Sequence, residues 1–518
     1  MAANGAQKTI VLTGSSLTID DVWSVSRGHA PVALDIQARA RMQESRSYIE
    51  GRISSGEVMY GVNTGFGAFS SVRISDSEIE ELQRNLIRSH SMGVDVPFTI
   101  EQSRAIMLLR ANALSRGHSG IRPDVVDKIL EFLNQDVIPV IPQKGSVGAS
   151  GDLAPLSHLA LALIGEGEAW GADGKPVNVQ TLIKSKGLTA LTLKAKEGLS
   201  LINGCQVMTA VGLLGLYEVR DLLRLSDLAG GMSLEGLRGS RTALDPLIAA
   251  TRPHAGEAKT ARNLLRVLGE SSTIAESHTD CNKVQDAYSL RCMPAVHGAA
   301  KDTWNYVKSV LETEANSSTD NPLVFAKENK VLSCGNFHGM PVAFAMDFMA
   351  IATASIASIA ECRIEKLINP AMSDLPAFLT PQGGLNSGHM IVQVAAASLV
   401  SENKIMCHPA SVDSIPTSAD KEDHVSMGTI AARKFVSVLQ NSQNVVAMEL
   451  LSACQALDLL RPLKPSAGVL AAYECVRRVV PFADKDRVFA KDVQAIREMI
   501  SSRVLVEALN AKIGELEV

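Results

Sequence analysis

From about residue 205 onward the chain carries long runs of helical patterning: CQVMTAVGLLGLYEVRDLLRLSDLA, the segment 341–366, HMIVQVAAASLVSENKIM and GTIAARKFVSVLQNSQNVVAMELLSACQALDLLRP. Runs of this length exceed an ordinary globular helix, and they bury their apolar faces by lying side by side as a bundle. Composition points the same way. Hydrophobic residues make up 46% of the chain and aromatics only 4%, so the interior is built from aliphatic and small side chains. That favours closely packed helices over a β-sandwich. The expected fold is mainly α, a long central helical bundle with small β pieces and active-site loops at its ends. One such β piece is PLVFAKENKVLSCGNF (322–337), two short apolar runs around a polar turn. Residues 1–200 read as an N-terminal mixed region and 201–518 as the long-helix bundle with C-terminal helices, together expected to form one integrated unit.

Fifty basic and 55 acidic residues give a net charge of −5, with no basic block to serve as a phosphate footprint, so nucleic acid is not an expected partner. The eight cysteines are scattered, without C-x-x-C or a Cys/His grouping at metal-ligand spacing; no metal is expected, and reduced thiols suit a cytoplasmic protein. The start, MAANGAQKTIVLTGSS, lacks a charged leader followed by an apolar core. The segment PVAFAMDFMAIATASIASIAEC contains Asp347 and Glu361 and is rich in Ala, Ser and Thr, which fits a packed bundle helix better than a membrane span.

Local signals place further elements. A helix is expected around 34–54. Ser75 and Glu78 have capping-box spacing ahead of Ile79, Leu82 and Leu86, and His90 continues that inward stripe. Thr99 and Gln102 suggest a second box before RAIMLLRANALSRG. In GSVGASGDLAP (145–155), Gly145, Gly148 and Gly151 relieve steric restriction while Ala149 and Ser150 add little bulk. Asp152 is placed to cap the helix that follows, with Pro155 in its first turn, so Ala149-Ser150-Gly151 lies at a helix N-terminus. Alone, a small-residue loop before a helix is usually a connection.

The longer stretch GSVGASGDLAPLSHLAL resembles the signature of the aromatic amino acid ammonia-lyases and aminomutases. The resemblance extends over essentially the whole chain. It implies an all-α fold like that of the fumarase and aspartase enzymes, and a 4-methylideneimidazol-5-one formed autocatalytically from Ala149, Ser150 and Gly151, with no external cofactor. The residue types suit that cyclisation: small side chains leave room for the Gly151 nitrogen to attack the Ala149 carbonyl, and Ser150 supplies the oxygen lost as water. Adding a substrate amine to such an electrophile makes nitrogen a better leaving group.

Further motifs carry further implied roles. YGVNTGFG (60–67) matches the family's tyrosine loop and makes Tyr60 the base for the β-proton; a free tyrosine titrates near 10, so positive potential must lower it. INGCQ places Asn203 beside electrophile and substrate, although Asn-Gly alone is usually a turn. NKVQDAYSLRCMP spaces Gln285, Tyr288 and Arg291 three residues apart, which makes successive pairs helix neighbours. The family match gives Arg291 the substrate carboxylate, Tyr288 proton exchange near the electrophile and Gln285 a supporting role. GNFHGMP places Phe337 near the substrate, and HPASVDSIPTSADKEDHVSMG places Glu422 at its polar end.

Ser89-His90, Glu422 and SLRC resemble the histidine branch, implying conversion of L-histidine to trans-urocanate. Asp420-Lys421-Glu422-Asp423, Met293, Ala295 and SHSMGVD depart from the usual forms of that branch. A Ser-His pair also occurs in tyrosine lyases and aminomutases, so a tyrosine or phenylalanine ammonia-lyase or a tyrosine 2,3-aminomutase is the alternative, and an inactive helical scaffold a distant one. The family further implies a homotetramer with shared active sites.

Overall fold

The computed structural model describes residues 8–59, 61–65, 72–148, 151–279 and 284–518. Tyr60, Ala149 and Ser150 therefore lie outside the described residues. The chain forms two compact units, each assembled from separated segments: 1–217, 308–347 and 409–433 in the first, and 218–307, 348–408 and 434–518 in the second. The expected predominance of helix holds, with sheets of only two strands among the described residues.

In the first unit, the strands Ile10–Leu12 and Val32–Leu34 pair in parallel, Ile10 against Val32. Asp35 caps the helix Ile36–Ser54 by accepting from Gln37 N and Ala38 N. The helix Ile100–Ser115 begins with the expected capping box, Thr99 and Gln102 each bonding the other's backbone. It is buried from Ser103 to Ser115, Arg104, Arg110 and Asn112 included. The Ser75–Glu78 box does not form. A 3₁₀ turn spans Asp76–Glu78 and the Ser75 hydroxyl bonds the Glu78 carboxylate, so the helix starts at Ile79. Strands Leu323–Phe325 and Lys330–Leu332 make the expected antiparallel hairpin.

Four long helices follow the four runs: Gln206–Gly236, Met340–Ile368, Met390–Met406 and Gly428–Leu459. Glycines on the first of them make room for neighbouring methionine side chains. A Cβ on Gly212 would sit 2.7 Å from Met346 Sδ, and one on Gly230 would overlap Met293 Sδ. A close-packed interior has no room for the added atom. Met340–Ile368 is long and apolar enough to cross a membrane, but 61% of its most apolar window is buried within the chain, as in the core of a bundle.

Candidate active site

In the first unit, the strand Pro142–Lys144 leads through Gly148 and Gly151 into the helix Leu153–Leu163. Gly151 has φ +74° and pairs with Gly204, whose carbonyl accepts from Asp152 N at 2.7 Å. A Cβ on Gly151 would overlap that carbonyl. The C-terminal residue of the small tripeptide thus abuts Asn203-Gly204.

Asp152 occupies the position before the Leu153–Leu163 helix, yet its side chain makes no cap there, contrary to the sequence expectation. It caps a different helix. One carboxylate oxygen accepts from Val207 N (2.9 Å) and Met208 N (3.0 Å), first-turn amides of Gln206–Gly236. The other accepts from Thr429 Oγ1 and from Ser146 Oγ at 3.3 Å. Cys205, just ahead of that helix, gives its Sγ to Phe337 O at 2.9 Å, which leaves these amides to Asp152. Burial pushes the Asp152 carboxyl up to about 6, against the pull of its donors.

Asn203 is buried. Its Nδ2 donates to Asn321 O (3.1 Å) and Asp320 Oδ1 (3.3 Å), while Oδ1 has no hydrogen-bond donor among the described residues. Buried polar atoms are rarely left unsatisfied, so a donor from outside the described residues or from a ligand suits this oxygen. Arg110 donates to the Asn203 carbonyl at 3.0 Å and to Gln206 Oε1. Lys196 Nζ pairs with Asp320 Oδ2 at 3.1 Å. Burial alone would raise the Asp320 carboxyl, but Lys196 and Arg110 outweigh it and hold it below the ordinary range. These supports for Asn203 were missed in the sequence, where each reads as an ordinary polar residue of a helix or turn. The TDNP tetrapeptide around Asp320 and Asn321 was the available signal.

Ser89 and His90 sit at the end of the helix Ile79–His90. His90 Nδ1 lies 2.9 Å from Leu86 O and 3.0 Å from Ser89 Oγ. Burial lowers the His90 pKa, although the Leu86 carbonyl and Glu422 pull the other way. The ring is therefore neutral near pH 7. A carbonyl can only accept, so Nδ1 carries the proton and Nε2 becomes an acceptor. Glu422 accepts from Thr417 Oγ1 at 2.8 Å across a turn in which Ser418, Ala419 and Asp420 all have positive φ. Three non-glycine residues in that region store strain to aim this loop.

Hydrogen bonds tie these parts together. Met427 N donates to Val147 O (2.9 Å) and Ser426 Oγ to Gly148 O (3.1 Å), joining the Glu422 segment to the glycine loop. Gly93 N bonds His158 Nε2 at 3.1 Å, joining the residues after His90 to the helix after Gly151. The first unit thus gathers Ser89, His90, Gly151, Asn203, Phe337 and Glu422. The close backbone approach of Gly151 to Gly204, and an Asn203 Oδ1 with no donor among the described residues, fit a ring formed from the tripeptide.

In the second unit, Tyr288–Arg291 is a single helical turn. The Arg291 guanidinium stacks over the Tyr288 ring at 4.4 Å from its centroid, and Nε donates to Asp286 O at 3.1 Å. Gln285 is exposed in the bend before the turn, so only Tyr288 and Arg291 are the helix neighbours that the spacing suggested.

Residues 17–478 match the aromatic amino acid lyase family. The histidine ammonia-lyase of Alkaliphilus oremlandii is 50% identical over 502 residues, covering 97% of this chain and 98% of that protein. The crystal structure of histidine ammonia-lyase from Trypanosoma cruzi superposes with a TM-score of 0.91 at 42% identity, covering 98% of this chain and 96% of that one. Tyrosine aminomutase from Streptomyces globisporus gives 0.94 at 36% identity, with 98% and 100% covered. A buried Gly151 pressed against Gly204, and likeness along the whole chain in sequence and fold, lead to one conclusion: the chain belongs to the aromatic amino acid lyase family.

Proposed function

We propose that this chain converts L-histidine to trans-urocanate and ammonia, using a 4-methylideneimidazol-5-one formed from its own Ala149, Ser150 and Gly151 and no external cofactor. Identity of 50% with a histidine ammonia-lyase over nearly all of both chains carries the reading. When formed, that group supplies an electrophile for the substrate amine. The remaining demands fall on the chain's own residues. Asn203 Oδ1, buried and without a donor among the described residues, holds and orients the polar atoms presented to it. Arg291 clamps the substrate carboxylate through its planar fork, with Gln285 in support. Tyr60 takes the β-proton, Tyr288 exchanges protons beside the electrophile, and Phe337 packs against the substrate.

Substrate choice rests on His90 and Glu422. A protonated imidazole has an N–H on each side of the ring, and the Nε2 of His90 and the Glu422 carboxylate are both acceptors. A phenol has one O–H and satisfies only one of them. The chain works in the cytoplasm as a homotetramer with shared sites. Phe344, Phe348 and Ile351, exposed on successive turns of Met340–Ile368, support an apolar partner face.

Purified protein offered L-histidine, L-tyrosine and L-phenylalanine in parallel tests this by ultraviolet absorbance. Urocanate alone is expected, and none from Ser150→Ala; coumarate, cinnamate or a β-amino acid would overturn the substrate. Glu422→Gln keeps the shape and removes the charge. A charge-assisted hydrogen bond contributes about 1.5–3 kcal/mol, so KM for L-histidine is expected to rise by about tenfold or more. Unchanged steady-state kinetics would remove Glu422 from substrate recognition.

A further inference from the structure

The turn Tyr288–Arg291 has four residues, and no side chain caps its N-terminus at Ala287. Its far end is continuous, through Cys292, with the helix Met293–Ala315: Cys292 N donates to Tyr288 O at 2.9 Å and Val296 N to Cys292 O at 3.1 Å. Tyr288 is 71% exposed while Ser289 and Leu290 are buried, so the turn is held from its inner side. A charged side chain reaches it there: Arg363, fully buried on the Met340–Ile368 helix, donates from Nη1 to Ser289 O at 3.3 Å. That carbonyl belongs to the residue immediately after Tyr288 and two before Arg291.

The guanidinium is itself fixed in plane. Glu449 accepts from Nε at 2.6 Å and from Nη2 at 2.9 Å, a two-point pair that sets the plane and leaves Nη1 to point elsewhere. Ser233 Oγ anchors the same carboxylate at 2.6 Å. Nη1 also lies 3.4 Å from His297 Nε2. His297 Nδ1 is 2.9 Å from Asp227, a carboxylate that only accepts, so Nδ1 carries the proton and Nε2 presents its lone pair to Arg363. Asp227 further accepts from Lys301 (2.6 Å) and Asn263 (2.8 Å). Two carboxylates and two cations balance around a neutral imidazole. A buried network of this kind adds little stability over well-packed apolar residues. This one has an arm that ends on the backbone between Tyr288 and Arg291.

We propose that Arg363, oriented by Glu449 and His297, is a positioning residue that sets the placement of Tyr288 and Arg291 through the Ser289 carbonyl. The proposal rests on the reading of Arg291 as the substrate clamp. Displacing a clamp by about 1 Å costs about 10²-fold in rate.

Arg363→Lys keeps a cation opposite Glu449 but has no planar fork to span both Glu449 and Ser289. The expected result is a melting temperature close to that of the parent, with KM for L-histidine raised and the calorimetric affinity for trans-urocanate weakened by about tenfold or more. The double variant Arg363→Met/Glu449→Met removes both charges, leaves no unpaired ion, and is expected to share the defect. Asp458→Asn weakens a partly buried ion pair elsewhere in the same unit, to Arg477 at 2.8 Å, and should lower stability without moving KM. If Arg363→Lys and the double variant both keep KM and urocanate affinity within twofold while Arg291→Met loses them, the positioning role is overturned and the clamp stands. If Arg291→Met also leaves them unchanged, the clamp reading fails and the positioning role falls with it.

Discussion

Gly151→Ala is expected to yield a protein with no measurable urocanate formation and an intact mass showing no loss of two waters. Two penalties act together. At φ +74° an alanine incurs about 1–2 kcal/mol of left-handed strain. The added Cβ also overlaps the Gly204 carbonyl, a backbone atom that cannot rotate away, so the 2.7 Å bond from Asp152 N and the Gly151–Gly204 pairing must give. Gly56 supplies the control, since it has φ +81° with nothing within 4 Å of a built Cβ. Gly56→Ala therefore carries the conformational penalty alone and should remain fully active with a small loss of stability. Equal activity in the two variants would show that the close approach at Gly204 is not required for formation of the electrophile.

Replacing Asp152 is expected to have the largest effect on stability, with a definite pH dependence. Asp152→Ala leaves Val207 N and Met208 N without their acceptor in a buried site, and reduces Thr429 Oγ1 and Ser146 Oγ to their mutual contact at 3.1 Å. Orphaned buried donors cost about 1–3 kcal/mol each before relaxation, so a loss of about 4 kcal/mol or more is expected. Asp152→Asn separates charge from hydrogen bonding. The folded carboxyl titrates at about 6 against an ordinary 3.8, so the folded state binds the proton more tightly than the unfolded one. That contribution to stability is fully present below the ordinary pKa and is lost as pH rises through about 6. Two pKa units correspond to about 3 kcal/mol. Asparagine never ionises, so its stability relative to the parent should improve by up to that amount between pH 4 and pH 7. Denaturation midpoints at both pH values measure it, and parallel curves would mean that Asp152 is ionised at no cost.

Helix ends show how far local patterns carry. Thr99 and Gln102 form their box because both partners lie within one turn and need nothing beyond it. Ser75 and Glu78 have the same spacing, but there the side chains bond each other while the backbone runs as a 3₁₀ turn. Asp152 stands at a helix start as its sequence suggests, yet it serves the helix beginning at Gln206 because that helix brings unpaired amides to it. Gln285 keeps the spacing of Tyr288 and Arg291 but falls in the preceding bend.

The long helices, the hairpin, the inward stripe ending at His90 and the family to which the GASGD stretch belongs were all legible in the residue order. These depend on periodicity and on small residues adjacent in the chain, where the physics is local. Which polar side chains are withdrawn from water, and what each then bonds, is set by packing in three dimensions. Arg110 beneath Asn203, Asp152 on the amides of Val207 and Met208, and Arg363 between Glu449 and Ser289 are pairings over long chain separations. A buried charge must find its partner wherever packing places one, and local sequence does not record that place.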